Sequence, residues 1–395
     1  MRLTFFMLAD LRVGRGTENV LFNLLKYKPN NIDVTIIEPN SIENNPLILS
    51  NSEVNELTKN CKIIKINSKF VTLEENSNRK ISTLYRRLIT KPVLKILSQT
   101  PKETLAELEN TDIVYLFYNQ FAAFFSDTNI PVVGSSHTYD FDWVNNNIDK
   151  NIFNRIYYNL IYKMYYKNIT FFHLFSDRSD ILNSLKQYFN FKLKGIMVLP
   201  NGVNTSFFYP DYNITNKKIK FLFVAALEAQ KGLDLLLPLI DRIDSNDVEF
   251  HIAGGGKLAD TIKANNKIIY HGVLNDADLA KLYRECDVFI YPSHGDTFSL
   301  VTLQALSSGL YVMCSDYLRG NFDDFENKYL EYLPLDIEKW HSRVKEIINN
   351  KNIIKHDKKE EYAFVKNNYD WEIISKKFYD YMIKFYINWN KKNNA

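Results

Sequence analysis

Short runs of consecutive apolar residues alternate with amphipathic stretches along most of this chain. Leu3–Leu8, Asp33–Ile37, Lys62–Ile66, Asp112–Phe117 and Pro131–Gly134 read as buried strands, and Thr17–Leu25, Thr104–Leu108 and Phe121–Phe125 as helical segments between them. The same rhythm returns after the punctuation Pro200-Asn201-Gly202. There strand Ile219–Val224 leads to helix Gly232–Ile243, and strand Val248–Ala253 leads to Gly254-Gly255-Gly256. Strand Ile268–His271 precedes helix Asp276–Arg284, strand Val288–Tyr291 precedes helix Leu300–Leu306, and Tyr311–Cys314 closes the set. Alternation of this kind predicts parallel sheets covered by helices.

Two such halves give the expected fold class: α/β, with two Rossmann-like domains facing a cleft, where ligands usually bind. The predicted division is residues 1–198, residues 199–370, and an amphipathic C-terminal helix at 371–395 crossing back to the first domain. At 395 residues and 46.4 kDa the length suits two domains. A net charge of only +3 gives no nucleic-acid signal. Cys61, Cys286 and Cys314 lie far apart with no CxxC, which suggests neither a zinc site nor a disulfide framework. The same cysteine usage suits a reducing, cytoplasmic interior, and no window approaches 18 uninterrupted apolar residues, so no membrane span is expected.

Two segments break the rhythm. Asn78–Leu97 carries Arg79, Lys80, Arg86, Arg87, Lys91 and Lys95 among apolar residues, and Asn151–Phe172 mixes Arg155, Lys163 and Lys167 with Tyr, Ile and Phe. Such segments can be helices with solvated charges and a stripe joining the core, or peripheral contacts on the anionic inner face of a membrane. Both readings stay open for 78–97 and 151–172.

The chemistry concentrates in Pro292–Gly309, PSHGDTFSLVTLQALSSG. A strand-loop-helix junction there would aim backbone N–H groups and the positive end of a helix at one spot, which suits a phosphate. Asp296 lies in the loop and Gln304 two turns along the helix. An ordinary βα turn is the plainer alternative.

Further stretches point the same way: Gly14–Glu18 (GRGTE), Ser136-His137, Pro200–Asn204, Phe223–Gly232 (FVAALEAQKG), Ile252–Gly256, and His271-Gly272-Val273. In this order they resemble the family-4 retaining glycosyltransferases of the GT-B fold, over nearly the whole chain. The family's two glutamates, separated by seven residues, have their equivalents in Asp296 and Gln304. The resemblance implies that Asp296 meets hydroxyls of the transferred sugar and Gln304 the ribose of the nucleotide. Gln loses the bidentate carboxylate and its charge-assisted bonds. Thr297, Phe298, Ser299 and Leu300 occupy the segment whose backbone meets the donor diphosphate, although a capping role at the helix start fits Ser299 or Thr297 equally. Of the family's basic pair, Lys231 matches the lysine and Ala226 stands at the arginine, leaving Arg12, Arg15 or Arg319 to supply a second charge. The resemblance further places Gly16 beside the donor phosphate or acceptor, His137 near the reacting sugar, and Gly272 and Val273 at the nucleobase.

The implied reaction is transfer of a sugar, with retention, from a nucleoside-diphosphate sugar such as a UDP- or GDP-sugar to a glycan or lipid-linked acceptor. The catalytic set would be His137, Asp296 and Lys231, without a metal or cofactor. A catalytically weakened sugar-nucleotide-binding subunit is the alternative. A two-domain oxidoreductase is disfavoured because no G-x-G-x-x-G follows the first strand.

Overall fold

A computed structural model describes residues 1–7, 11–13, 16–39, 50–66, 110–125, 128–137, 168–176 and 193–393. The chain divides into two compact units, Met1–Leu199 with Ser375–Ala395, and Pro200–Ile374. Each is a Rossmann-like α/β unit built on a parallel sheet.

In the first unit the elements are β1 (Arg2–Phe6), α1 (Gly16–Lys26), β2 (Asp33–Pro39), α2 (Asn51–Thr58), β3 (Cys61–Ile66), β4 (Ile113–Leu116), β5 (Val132–Ser135), β6 (Phe171–Leu174) and β7 (Gly195–Val198). The sheet order is β3-β2-β1-β4-β5-β6-β7. Central strands are continuous apolar runs because both faces are covered. Leu3, Phe5, Ile113, Val114, Leu116, Phe172 and Leu174 are fully buried, whereas the edge strand β3 (CKIIKI) exposes Lys62 and Ile63. The capping box at α2, Ser50 with Glu53, supplies its start.

The second unit contains β8 (Ile219–Val224), α3 (Leu233–Arg242), β9 (Val248–Ala253), α4 (Ala259–Ala264), β10 (Ile268–Gly272), α5 (Asp276–Glu285), β11 (Val288–Tyr291), α6 (Leu300–Ser307), β12 (Tyr311–Ser315), β13 (Leu330–Leu333), α7 (Ile337–Asn349) and α8 (Lys358–Tyr369). Its sheet runs β10-β9-β8-β11-β12-β13, so the strand order reverses between β8 and β11. The carboxyl ends of those two strands form the topological switch point at which such sheets bind ligands.

Helix α9 (Trp371–Asn393) starts in the second unit, where the Trp371 N–H donates to the Val203 carbonyl at 3.2 Å, and continues as part of the first. There Phe378 stacks on Phe5 with centroids 6.1 Å apart and Phe385 on Phe171 at 4.2 Å, while the Tyr379 hydroxyl donates to the Leu24 carbonyl at 2.9 Å.

Several elements escape the pattern reading. Strands β6 and β7 lie around the segment read as basic and amphipathic. Phe171 and Phe172 are interior residues of β6, at most 2% exposed, so they join the core, as the non-membrane reading has it, although in a strand and not a helix. The rest of 151–172 as far as 167, all of 78–97 and the helix expected at 104–108 lie outside the described residues. Tyr311–Cys314 does not close the second sheet. Strand β13 follows, with Glu331 held by Arg343 of α7 at 2.9 and 3.0 Å, so its alternation hides an ion pair beside the core. Among the described residues no helix is long and apolar enough to cross a membrane, and the three cysteines are free thiols.

The two units carry titrating groups of opposite sign. Burial lowers His173 from 6.5 to about 4, so an unfolding chain takes up a proton near pH 6.5 that the folded one refuses. Its contribution is full above that pH and declines as pH falls toward 4. Burial raises Glu361 from 4.5 to about 7 beside His356, 2.8 Å away, so its contribution is full below pH 4.5 and lost as pH rises through 7. Urea unfolding should therefore show Glu361→Gln gaining on the wild type between pH 5 and 8, by on the order of 2–3 kcal/mol. A gap constant across that range would contradict the assignment.

Candidate active site

The switch-point loops of the second unit are locked to each other through the backbone. The loop after β8 ends in a 3-10 turn, Ala229–Lys231, stopped by Gly232 at φ 92°. A Cβ at Gly232 would sit 2.1 Å from the Pro292 carbonyl oxygen, so only glycine admits the loop after β11 this close. The His294 N–H donates to the Gln230 carbonyl at 3.0 Å, and the His294 ring meets Asp234 at 2.8 Å.

On this frame Lys231 Nζ donates to Asp296 Oδ2 at 2.9 Å, and the Tyr291 hydroxyl donates to the same oxygen at 3.0 Å. Both bonds fall on Oδ2, leaving Oδ1 the better placed to accept from a hydroxyl. The two charges are partly buried, with side chains 24% and 18% exposed, enough for a ligand to reach them. Tyr291 was missed in the sequence because it reads as the last apolar residue of its strand; its ring is buried and only the hydroxyl serves Asp296.

Helix α6 begins beside this pair. Ser299 is its cap, its Oγ accepting from the Thr302 N–H at 3.3 Å and from the Thr302 hydroxyl at 2.8 Å. Of the two roles open to Ser299, the side chain performs the capping one. Phe298 is buried against Phe322, centroids 5.1 Å apart, so only its backbone is available to a ligand. Thr297 and Leu300 are half-buried. The first-turn amides of Leu300 and Val301 have no intrahelical acceptor by helix geometry, which makes this end attractive to an anion.

Gln304 lies one further turn in and is half-buried. Its Oε1 faces the Tyr283 hydroxyl at a long 3.4 Å, while that hydroxyl donates at 3.0 Å to the Val301 carbonyl. The amide therefore turns its NH2 group, a donor, toward a ligand more readily than its carbonyl. Nothing local in the sequence signals Tyr283, which arrives from α5.

The remaining loops at this sheet end are also pinned. Gly254 (φ 133°) would place a Cβ 1.9 Å from the Ala225 carbonyl oxygen, and its N–H donates to the Gly272 carbonyl at 2.7 Å. Gly272 adopts φ 71° with open space around it, and Val273 is 71% exposed. Ala226 is exposed. Arg319 stacks on Tyr332 and pairs with Glu326 at 2.7 Å, so its charge is already engaged. Arg12 bonds Asn51 at 3.0 Å in the first unit, and Arg15 lies outside the described residues.

In the first unit Gly16 opens α1 with nothing within 4 Å of a Cβ, and Glu18 in the next positions is buried. His137 follows β5, half-buried between Phe117 (4.6 Å) and Phe175 (4.4 Å). Burial and the neighbouring His173 hold its pKa well below the ordinary histidine value, so the ring is neutral.

Residues 206–371 match the sequence profile of the glycosyl transferases group 1. A curated relative, an uncharacterised glycosyltransferase of Methanocaldococcus jannaschii, is 30% identical over 149 residues, covering 32% of this chain and 38% of that protein. The chain thus aligns with less than two-fifths of that relative's length. Sucrose-phosphate synthase from Thermosynechococcus elongatus superposes with a TM-score of 0.74 at 14% identity, covering 98% of this chain and 99% of that one. HepE of Anabaena, solved with UDP and glucose, gives 0.66 at 12% identity over 97% and 100%. The fold is that of the GT-B glycosyltransferases, and residues 206–371 are similar to the glycosyl transferases group 1 family.

Proposed function

We propose that the chain transfers a sugar from a nucleoside-diphosphate sugar to a glycan or lipid-linked acceptor, with retention of configuration. The observation that carries this reading is the Lys231–Asp296 pair at the switch point beside the start of α6. A leaving diphosphate gains negative charge as the C1–O bond breaks. Lys231 and the first-turn amides offset that charge in place, without needing a metal or cofactor. Asp296 Oδ1 accepts from a sugar hydroxyl, Gln304 meets the ribose, and the Gly272-Val273 backbone meets the base. Gly16 and His137 are the contributions proposed for the first unit. The acceptor oxygen bonds C1 on the face the diphosphate leaves, and its proton passes to the departing phosphate oxygen.

The crystal of HepE with UDP supports a uridine nucleotide as the first donor to try. Purified chain incubated with UDP- and GDP-sugars and lipid-linked acceptors should release the nucleoside diphosphate. No release from any common donor would end this reading in favour of a sugar-nucleotide-binding subunit, the alternative that exposed Ala226 and Gln304 motivate. Gln304→Glu tests how far the site is tuned. A carboxylate at 304 offers two charged acceptor oxygens in place of one amide carbonyl, so the variant should bind the donor several-fold more tightly, roughly the gain from one charge-assisted bond to a ribose hydroxyl. Titration with the nucleotide measures it, and weaker binding would show that the amide is the preferred group.

A further inference from the structure

The proposed role of His137 leaves open which ring nitrogen faces a ligand, and a chain of buried hydrogen bonds answers that. His173 Nε2 lies 2.7 Å from the Leu199 carbonyl oxygen, which can only accept, so Nε2 carries the proton. The ring of His173 is buried and neutral, with its pKa lowered to about 4, which leaves Nδ1 a bare acceptor. The Tyr115 hydroxyl is 2.6 Å from that nitrogen and donates to it. Ser135 also lies within reach of the Tyr115 hydroxyl, but its own proton goes to the Leu116 carbonyl at 2.7 Å and so is not donated to Tyr115. With its proton spent on His173, the Tyr115 oxygen can only accept from His137 Nε2, 3.1 Å away.

We infer that Tyr115 and His173 are positioning residues that hold His137 as the Nε2–H tautomer, presenting Nδ1 as a hydrogen-bond acceptor for a sugar hydroxyl. This rests on the glycosyltransferase reading for its ligand, though not for the tautomer. The lone pair specifies chemistry. A hydroxyl can donate to Nδ1, whereas a carboxylate or phosphate at the same place would meet a second lone pair and be rejected. Transfer of a neutral hexose is favoured over that of a uronic acid. Phe117 and Phe175 clamp the ring against rotation, and Tyr115 is fully buried, so the assignment is built into the core of the first unit. None of these partners stands out in the sequence. Tyr115 reads as a strand core residue and His173 as one polar position in an apolar run.

Long-range 1H–15N spectra of the full chain labelled with 15N-histidine, with His137 assigned by its loss in His137→Gln, read the tautomer without substrate. The expected result is an Nε2–H ring at His137 in the wild type. Tyr115→Phe removes the acceptor that the described residues offer that proton and should abolish the preference. It should also lower kcat for sugar transfer roughly tenfold, the range of a lost orienting partner, with the affinity for UDP unchanged. His173→Asn, whose amide oxygen can take the place of Nδ1, should retain both the tautomer and the turnover. An Nδ1–H ring in the wild type, or an unchanged tautomer in Tyr115→Phe, overturns the relay. An expected tautomer in a chain that transfers no sugar would instead tell against the function, because the spectra do not depend on it.

Discussion

Lys231→Ala is expected to lower sugar transfer by roughly two to three orders of magnitude, the cost of removing a preorganised charge from a site where negative charge develops. The loss should fall on kcat, because the ammonium interacts more strongly with the departing diphosphate than with the intact donor. Stability should change little. The ion pair is partly solvent-exposed and of the class that contributes about 1 kcal/mol or less. After the substitution Asp296 keeps the Tyr291 bond and so has a partner. A cation matters more here because Ala226 stands where the resemblance implies an arginine, and Arg319, in the same unit, is held by Glu326. Lys231→Arg separates charge from geometry. It retains the charge, but a planar guanidinium replaces a point donor to Oδ2, so partial recovery is the expected outcome. Nucleoside diphosphate release under saturating donor gives the measurement. Full activity in Lys231→Ala would remove this residue from the site.

Gly232→Ala should be the more damaging change to the fold, although the substitution adds one methyl group. The residue sits at φ 92°, and the added Cβ would approach the Pro292 carbonyl oxygen to 2.1 Å. Neither obstacle can be relieved by a side-chain rotation, because the clash is with backbone. Strain at the dihedral costs on the order of 1–2 kcal/mol and displacement of the Pro292 loop adds to it, so a total of roughly 3–4 kcal/mol is expected. The loops cannot separate without losing the Gln230–His294 bond and the Lys231–Asp296 pair. Urea denaturation reads the stability loss, and turnover in the surviving folded fraction should drop as well. Wild-type stability in this variant would mean that the loops part easily and that their close approach does not set the site.

How much of this was legible in the sequence depended on whether a residue's partners are local. Strand β11 was readable because it is a continuous apolar run between Asp287 and Pro292, while β8 and β9 stay mostly apolar despite Lys220, Glu249 and His251. The stretch Pro292–Gly309 drew notice as a strand-loop-helix junction, and Lys231 through the resemblance to the glycosyltransferase family. Pairing Lys231 with Asp296, 65 positions apart, needed the topology, since the reversal of strand order between β8 and β11 brings the two loops together. Tyr283, Tyr291, Tyr115 and His173 were illegible for a common reason. Each has an apolar body that satisfies the hydrophobic pattern and one polar atom whose partner lies on another element. Strand β13 and helix α8 were missed because Glu331 and Glu361 break the apolar pattern in places where Arg343 and His356 provide for them.

The path of α9 sets an order of assembly. The first unit needs Phe378, Tyr379 and Phe385 to cover Phe5, Phe171 and the end of α1, yet those residues follow the whole of the second unit in the chain. A ribosome working from the N-terminus therefore delivers every strand of the second sheet before it delivers the piece that completes the first. The nascent first half waits with an unfinished apolar face, while the unit that begins later is finished sooner.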